Sequence, residues 1–317
     1  MKFSLSKRHN EILYAYLFLL PNLIGFLIFT FLPVISSFVL SFVRYKSLSF
    51  SWPPDIEFVG LAHFIKLLGF HREAGILKAN DPLLWKYLWN TIYLMAGIPL
   101  CMAGSLILAL ILNKKKKGVT FYRTLFFLPT MCQGVAIILL WKWIYNYDYG
   151  LLNTIIRNIG DFFGFNLEGI RWISAKWIKP SMIIMGFWTL VGGYNMILYL
   201  AALQGIPREL YEVAEIDGAN AWQKFWAVTW PMISPTTFFI AIMSIIGGFQ
   251  AGFMAAYVLA KGGPHGASTT LMYYIYKNFY DWHNFGYASC IAWFMFLLIF
   301  ITTMINWRFG GRLVHYR

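Results

Sequence analysis

Amides, hydroxyls and aromatic rings stand at intervals inside otherwise apolar stretches of this chain: Gln133, Trp188, Thr189, Tyr194, Asn195, Ser244, Gln250 and Tyr257. Singly, each suits an interhelical hydrogen bond or a packing contact. Together they suit a neutral polyhydroxylated ligand, whose hydroxyls pair with amides and whose C–H faces stack on rings. No comparable set exists for breaking bonds. His9, His63, His71, His265, His283 and His315 are scattered, without HExxH spacing or a neighbouring Cys pair, so no metal site is readable. The chain has no GxSxG elbow, no GxGxxG turn and no GxxxxGK[ST] phosphate loop, which excludes ATP hydrolysis by the chain itself.

The elements that carry such groups must be soluble in lipid. With 59% hydrophobic and 12% charged residues, the chain cannot cover a globular surface, which takes about a quarter charged residues. It reads as an integral membrane protein. Apolar runs near the length of a span occur at 12–43, 88–112, 124–145, 180–203, 236–259 and 287–307. The first is overlong and reads as a shorter span with a kink near Pro33. It follows Lys2, Lys7 and Arg8 but exceeds a signal-peptide core and precedes no small-x-small cleavage site, so it reads as a retained span. The expectation is an all-α polytopic bundle of six transmembrane helices. A six-span domain at 12–307 lies between terminal segments 1–11 and 308–317.

Charge orients this bundle. Lys and Arg are about twofold denser on the side shared by both termini and the loops 113–123 and 204–235, helped most by the run 114–117 in a very short loop. Both termini and the loop 204–235 are therefore expected in the cytoplasm. The net charge of +13 follows from this topology and from anionic headgroups rather than from nucleic acid. All thirteen Asp and Glu lie outside the six runs. Ion-coupled carriers place an ionisable side chain in the membrane, so a six-span secondary carrier is disfavoured and a transporter of this composition draws its energy elsewhere. A membrane-embedded enzyme would need a cluster of His, Asp or Cys. Cys101, Cys132 and Cys290 fall within spans and read as small packing residues. Trp85, Trp89, Trp141, Trp143, Trp293 and Trp307, at span ends, read as interfacial anchors, and Lys142 as a snorkelling cation.

Between the fourth and fifth runs lies a polar island, ELYEVAEIDGANAWQKFWAVTWP, at 209–231. Pro207 at a helix start, Glu209 and Glu212 in the first turns and Gly218 as a stop predict a short helix. Leu210, Val213 and Ala214 share one face, with Glu212 and Glu215 turned away. A second short helix is expected from Ala219 to Val228, with Pro231 ending the island.

Here the chain resembles the transmembrane subunits of binding-protein-dependent ABC importers, whose motif is EAA, three residues, Gly, nine residues, then I-x-L-P. Glu212, Val213 and Ala214 match its first element, Gly218 follows after three residues, and Val228, Thr229, Trp230 and Pro231 follow after nine more. Val213, Val228 and Trp230 depart from the motif but stay apolar. The stretches YRTLFFLP at 122–129, LAALQGIP at 200–207, GFQAGFMAAYVLAKGGP at 248–264 and NFGYASCIAW at 284–293 look like those of the maltose-type carbohydrate permeases. The loop 44–86 is modest where the maltose subunit carries a large insertion.

The resemblance implies the type I importer fold in the inner membrane of a prokaryote. It implies a heterodimer with a second permease, two ATP-binding subunits that hold ATP and Mg beneath it, and an external solute-binding protein. The chain itself would hold no cofactor. The island would be the coupling element, with Glu212, Ala214, Gly218, Ala219, Asn220, Ala221, Trp222, Phe225 and Pro231 serving contact with the ATPase. The substrate path would run between 188–199 and 244–257, with Tyr194, Asn195, Phe249, Gln250 and Phe253 as contacts. A sugar or oligosaccharide is expected. Glycerol phosphate is the alternative, and the absence of an obvious Arg or Lys clamp in the spans tilts towards a neutral saccharide.

Overall fold

The computed structural model describes residues 3–45, 56–73, 76–114, 117–132 and 134–310. Gln133, Lys115, Lys116, Lys2 and His315 lie outside them. In chain order the helices and strands are α1 (Phe3–Phe26), α2 (Leu32–Leu40), β1 (Val43–Tyr45), β2 (Ile56–Phe58), α3 (Ala62–Leu68), β3 (Phe70–Glu73) and β4 (Ile76–Ala79). There follow α4 (Pro82–Met95), α5 (Gly97–Leu112), α6 (Val119–Met131), α7 (Val135–Ile144), α8 (Leu151–Phe163), α9 (Ile178–Leu190) and α10 (Tyr194–Gln204). The last are α11 (Arg208–Ile216), α12 (Ala221–Lys224), α13 (Trp230–Gln250), α14 (Phe253–Leu259), α15 (Leu271–Tyr276) and α16 (Phe285–Gly310).

One correction to the sequence expectation concerns fold class. The chain is mostly helical rather than all-α, because the loop after the first span holds two antiparallel hairpins, β1 with β2 and β3 with β4. Arg44 stands opposite Glu57 and pairs with it at 3.0 Å; Glu73 and Lys78 pair at 2.8 Å. Strands of three and four residues are too short for an alternating pattern to register. Among the described residues, four helices are long and apolar enough to span alone: Asn10–Leu40, Pro82–Leu112, Ala221–Leu259 and Phe285–Arg308. The count reaches six if each of two bent pairs is one span, α6 with α7 at 99° and α9 with α10 at 44°.

The breaks have local causes. Pro129 removes a backbone donor inside α6, and Gly134 before α7 has φ +88°. Between α9 and α10, a Cβ on Gly192 would stand 2.0 Å from the Phe126 carbonyl oxygen, and one on Gly193 would stand 2.7 Å from Thr130 Oγ1. Glycine is required there for α6 to approach. Proline acts differently in the longest helices. Pro33 and Pro231 each lack the N–H that would pair with the carbonyl four residues earlier, Phe29 and Ala227. Both carbonyls fall inside π-helical turns, Leu27–Phe31 and Phe225–Thr229. The chain widens and continues. Pro231 therefore does not end the island, as the sequence suggested, but sits in the first turn of α13.

The chain divides into two compact units, Met1–Asp81 with Ile275–Trp293, and Pro82–Tyr274 with Phe294–Arg317. In the first, no residue of the apolar window in Asn10–Leu40 is buried, as expected of a helix whose surface meets lipid. Trp293 donates its indole N–H to Ser37 Oγ at 3.2 Å rather than acting as an anchor.

In the second unit, Gly97, Cys101, Ser105 and Ala109 form a buried stripe at intervals of four on α5. Small residues let helix backbones approach closely in a membrane, and α5 packs against α9 and α10. One apolar cluster joins α5, α10 and α13 through Leu106, Met196, Tyr199, Leu203, Ile233 and Ile240. A second joins α7, α9 and α14 through Ile137, Trp141, Ile178, Met182 and Leu259. Trp141 is thus a core residue, whereas Trp85, Trp89, Trp143 and Trp307 are exposed. Cys101 and Cys290 are buried, but Cys132 is exposed at the end of α6.

Candidate functional site

The polar island folds as the motif spacing anticipates at its centre. α11 runs from Arg208 to Ile216 with Glu209 in its first turn, where a carboxylate faces the positive end of the helix dipole. Its carboxyl end closes on Gly218, at φ +76°. Gly218 N donates to the Glu215 carbonyl at 3.0 Å and Ala219 N to the Ala214 carbonyl at 2.9 Å, the paired bonds of a Schellman closure. Asn220 then caps α12. Its side chain accepts from Gln223 N at 2.9 Å, while Gln223 Oε1 accepts from Asn220 N at 2.8 Å. The two helices are tied by Lys224 Nζ to Glu215 Oε1 at 2.6 Å, and by the hydroxyls of Tyr211 and Thr229 at 2.9 Å.

The inward face of α11 is Leu210, Tyr211 and Ala214, with Leu210 and Tyr211 packed on the α5–α10–α13 cluster. Val213, expected on that face, is 56% exposed. Position 211 took its place because an aromatic body with a hydroxyl tip can pack and still reach Thr229. The outer surface is unusually apolar for a connecting loop: Ile216 is 84% and Trp222 69% exposed. Trp222 stacks at 6.2 Å on half-buried Phe225 and meets Trp226 edge-on at 5.6 Å, and Trp226 lies 5.7 Å from Trp230. Glu212, Asn220 and Ala221 are exposed, while Ala219 and Pro231 are half-buried. The sequence expectation missed the Glu215–Lys224 tie, which no motif marks.

The second feature is a cavity of about 430 Å³ in the same unit. Its walls come from α4, α5, α9, α10, α13 and α14, and include Met95, Ile98, Met182, Ile183, Gly186, Phe187, Met243 and Gly247. Asn195 and Ser244 bring polar groups to it, and its lining holds no Lys, Arg, Asp or Glu. Of the five contacts expected from sequence, Asn195 alone lines this cavity. Phe249 is 5% exposed in the core. Tyr194 is exposed with its ring edge-on to Phe127 at 5.7 Å, Gln250 is exposed, and Phe253 stacks on Tyr257 at 6.0 Å. The reason is the break after Gln250: Ala251 is extended and Gly252 has φ +81°, which rotates Phe253 out of the helical register that a continuous span would give it. The glycines and methionines of the wall carry no chemical signal in a sequence.

One further feature joins the two. The π turn at Phe225–Thr229 makes α12 and α13 a single helical rod from Ala221 to Gln250. Trp222 stands exposed near one end, and Ser244, Gly247 and Gly248 line the cavity near the other. At 1.5 Å per residue these ends are roughly 35 Å apart. Among the described residues, no three His, Cys, Asp or Glu side chains gather as a metal site.

Known proteins share this architecture. A bacterial ABC transporter involved in the import of the acidic polysaccharide alginate contains a chain that superimposes with a TM-score of 0.78 at 23% identity, covering 99% of this chain and 100% of that one. The probable ABC transporter permease protein YesP of Bacillus subtilis (strain 168) is 34% identical over 324 residues, covering 100% of this chain and 96% of YesP. The lactose transport system permease protein LacF of Rhizobium radiobacter is 32% identical over 306 residues, covering 95% and 94%. Residues 90–313, which hold both the island and the cavity, match the model of the binding-protein-dependent transport system inner membrane component. The chain belongs to that family, the membrane-embedded permease subunits of ABC transporters.

Proposed function

We propose that this chain is the permease subunit of an ATP-driven importer that carries a sugar or oligosaccharide delivered by an external binding protein. In this reading it crosses the inner membrane six times, each bent helix pair counting as one span, with both termini and the segment 204–235 in the cytoplasm. It pairs with a second, homologous permease. Two ATP-binding subunits, holding ATP and Mg, dock on the island through Trp222, Ala221, Asn220 and Glu212, while Ala214, Gly218, Ala219, Phe225 and Pro231 shape and seat it. The chain has no catalytic role of its own.

The observation that carries this reading is the rod from Ala221 to Gln250. A partner that grips exposed Trp222 moves the wall of the cavity without an intervening joint, because a continuous helix transmits displacement along its axis. Such a partner shifts the transporter between states only by binding them unequally. A grip that is well ordered before docking, as the Schellman closure and capping box make this one, loses less to ordering.

The cavity lining favours a neutral saccharide over a phosphate ester, since no Lys or Arg lines it. Asn195 and Ser244 are the groups that meet its hydroxyls. A second reading is that the sister permease holds the sugar and this chain forms the passage wall. The predominance of Gly, Met, Leu and Ile in the lining favours it.

Reconstitution tests the proposal. The purified chain alone should show no ATPase activity, and the complex with its partners should hydrolyse ATP faster when the binding protein is loaded with sugar. Turnover by the isolated chain, or a complex indifferent to loaded binding protein, overturns it.

A further inference from the structure

The helix α8 lies in the connection after α7 and presents three distinct surfaces. One side is packed. Asn153, with 0% exposure, donates to the carbonyls of Tyr147 at 3.1 Å and Ile170 at 3.0 Å and accepts from Ile170 N at 2.9 Å and Trp172 Nε1 at 3.0 Å. Gly160 on the same side is buried because a Cβ would stand 2.6 Å from the Phe165 carbonyl oxygen, and Leu152 and Ile156 pack on the α7–α9–α14 cluster. The second side is polar: Thr154, Asn158 and Asp161 are exposed. Between them lies a third side. Leu151, Ile155 and Ile159 follow at intervals of four, with Phe162 and Phe163 three and four residues beyond Ile159, and the five are 47%, 44%, 49%, 83% and 65% exposed.

The spacing places these five on one arc of the helix. No polar or charged residue interrupts it, whereas protein docking surfaces mix polar with apolar groups. The packed side fixes its direction, because rotating the helix would orphan four hydrogen bonds of a buried amide. Its position says what covers it. α8 begins seven residues after α7 ends at Ile144, so, on the proposed reading that α6 and α7 form one bent span, the helix sits at the end of a membrane-spanning segment. Exposed Trp143 and Tyr149 stand at this junction, and such residues concentrate at headgroup depth.

We propose that α8 lies in the plane of the membrane interface, with Leu151, Ile155, Ile159, Phe162 and Phe163 immersed among acyl chains. Its Thr154–Asn158–Asp161 side faces water. The lipid surface is then the partner of a segment that topology alone would count as an aqueous loop, and Asn153 is its positioning residue. A 13-residue helix spans about 20 Å along the surface, and helices of this amphipathic kind bury their apolar face about 5–10 Å into the headgroup boundary.

Nitroxide labels on the full chain, in its assembled complex in lipid nanodiscs, test this. Single cysteines at Ile155, Ile159 and Phe162 form one set, and at Thr154, Asn158 and Asp161 the other. All six positions are exposed, so labelling leaves the packed side intact, and gel filtration with circular dichroism confirms assembly of each variant. The first set should collide several-fold more often with oxygen than with a water-soluble nickel chelate, and the second set should show the reverse. Nickel access at all six overturns the proposal in favour of an aqueous loop. Protection of the first set from both reagents overturns it in favour of a protein, either the binding protein or the second permease. Asn153→Ala should blur the contrast between the sets while the complex stays assembled; an unchanged contrast removes Asn153 from its positioning role.

Discussion

The backbone N–H of Ala219 donates to the Ala214 carbonyl at 2.9 Å, reaching back over Gly218 at φ +76°. That single relationship sets the angle at which the second helix of the island leaves the first. It exists because glycine enters the left-handed region without a Cβ penalty.

A Cβ at position 218 would meet nothing within 4 Å, so substitution there strains the backbone without a clash. Gly218→Ala should cost about 1 kcal/mol, Gly218→Val should cost more, and Gly218→Asn should cost least, because Asn tolerates the left-handed region. The complex should lose ATP-binding subunits on purification in the order Val, Ala, Asn. Equal retention by all three variants would show that the turn is not needed for docking.

Trp222 is 69% exposed, and its removal should leave the fold of this chain untouched. If it is the anchor of the docking surface, Trp222→Ala should weaken association with the ATP-binding subunits by about 2 kcal/mol or more, roughly thirtyfold, as buried aromatic anchors do. Quantitative pull-down against the unaltered chain reads the loss. Unchanged association together with normal sugar-stimulated hydrolysis would place the contact elsewhere on the island.

The cavity gives two separable outcomes. A Cβ on Gly247 meets nothing within 4 Å, whereas one on Gly248 would stand 2.8 Å from Ile98 Cδ1. Gly247→Leu should therefore enter free space and block uptake with assembly intact, while Gly248→Leu should destabilise the helix packing. Asn195→Leu should reduce uptake by about 1–3 kcal/mol in transition-state terms if the amide meets a sugar hydroxyl. Normal uptake in Asn195→Leu with blocked uptake in Gly247→Leu would mean that this chain forms a passage and its sister holds the substrate.

His63, in the hairpin-bearing loop, has its pKa held below the ordinary 6.5, first by burial and then by the charges of Arg44 and Lys66, against a hydrogen bond to the Val43 carbonyl that raises it. Tyr287 lies beside it, with its hydroxyl bonded to Asp81. In the unfolded chain His63 takes its proton near the ordinary value, so as pH falls below 6.5 the unfolded state binds more protons than the folded one. The histidine's contribution to stability is fully present above that pH and is lost as pH falls through the depressed value. The thermal midpoint of the complex should drop on acidification from about pH 7.5 to about pH 5, and His63→Gln should flatten that part of the profile. An identical profile in the variant would assign the pH response to other groups.

The turn geometry of the island was legible in the residues themselves. Glu212, Gly218 and Pro231 at fixed spacing located the island, and the sign of its turn followed from glycine at 218. Local signals of this kind depend on backbone sterics and on hydrogen bonds within a few residues, which a sequence states directly. What went astray was long-range or collective. Pro231 read as a stop, but a π turn at Phe225–Thr229 absorbs its missing donor, and whether the chain breaks or widens depends on how α13 packs. Phe249 and Phe253 read as lining, but the break at Ala251–Gly252 turns one into the core and the other onto Tyr257.

The sequence by itself determined that this chain is membrane-embedded, that its apolar runs hold no Asp or Glu, and where the motif-bearing island lies. Composition and run length suffice for the first two, because lipid solvation depends on totals, and a fixed-spacing motif suffices for the third. Tertiary structure alone decided which side chains share a space. The cavity's wall is assembled from Gly97, Met182, Gly186 and Gly247 on three different helical segments, and none is marked by its type. A cavity is a property of what packing leaves empty, set by close approach at small residues and by bends such as those at Gly192 and Gly252, and no single segment encodes it.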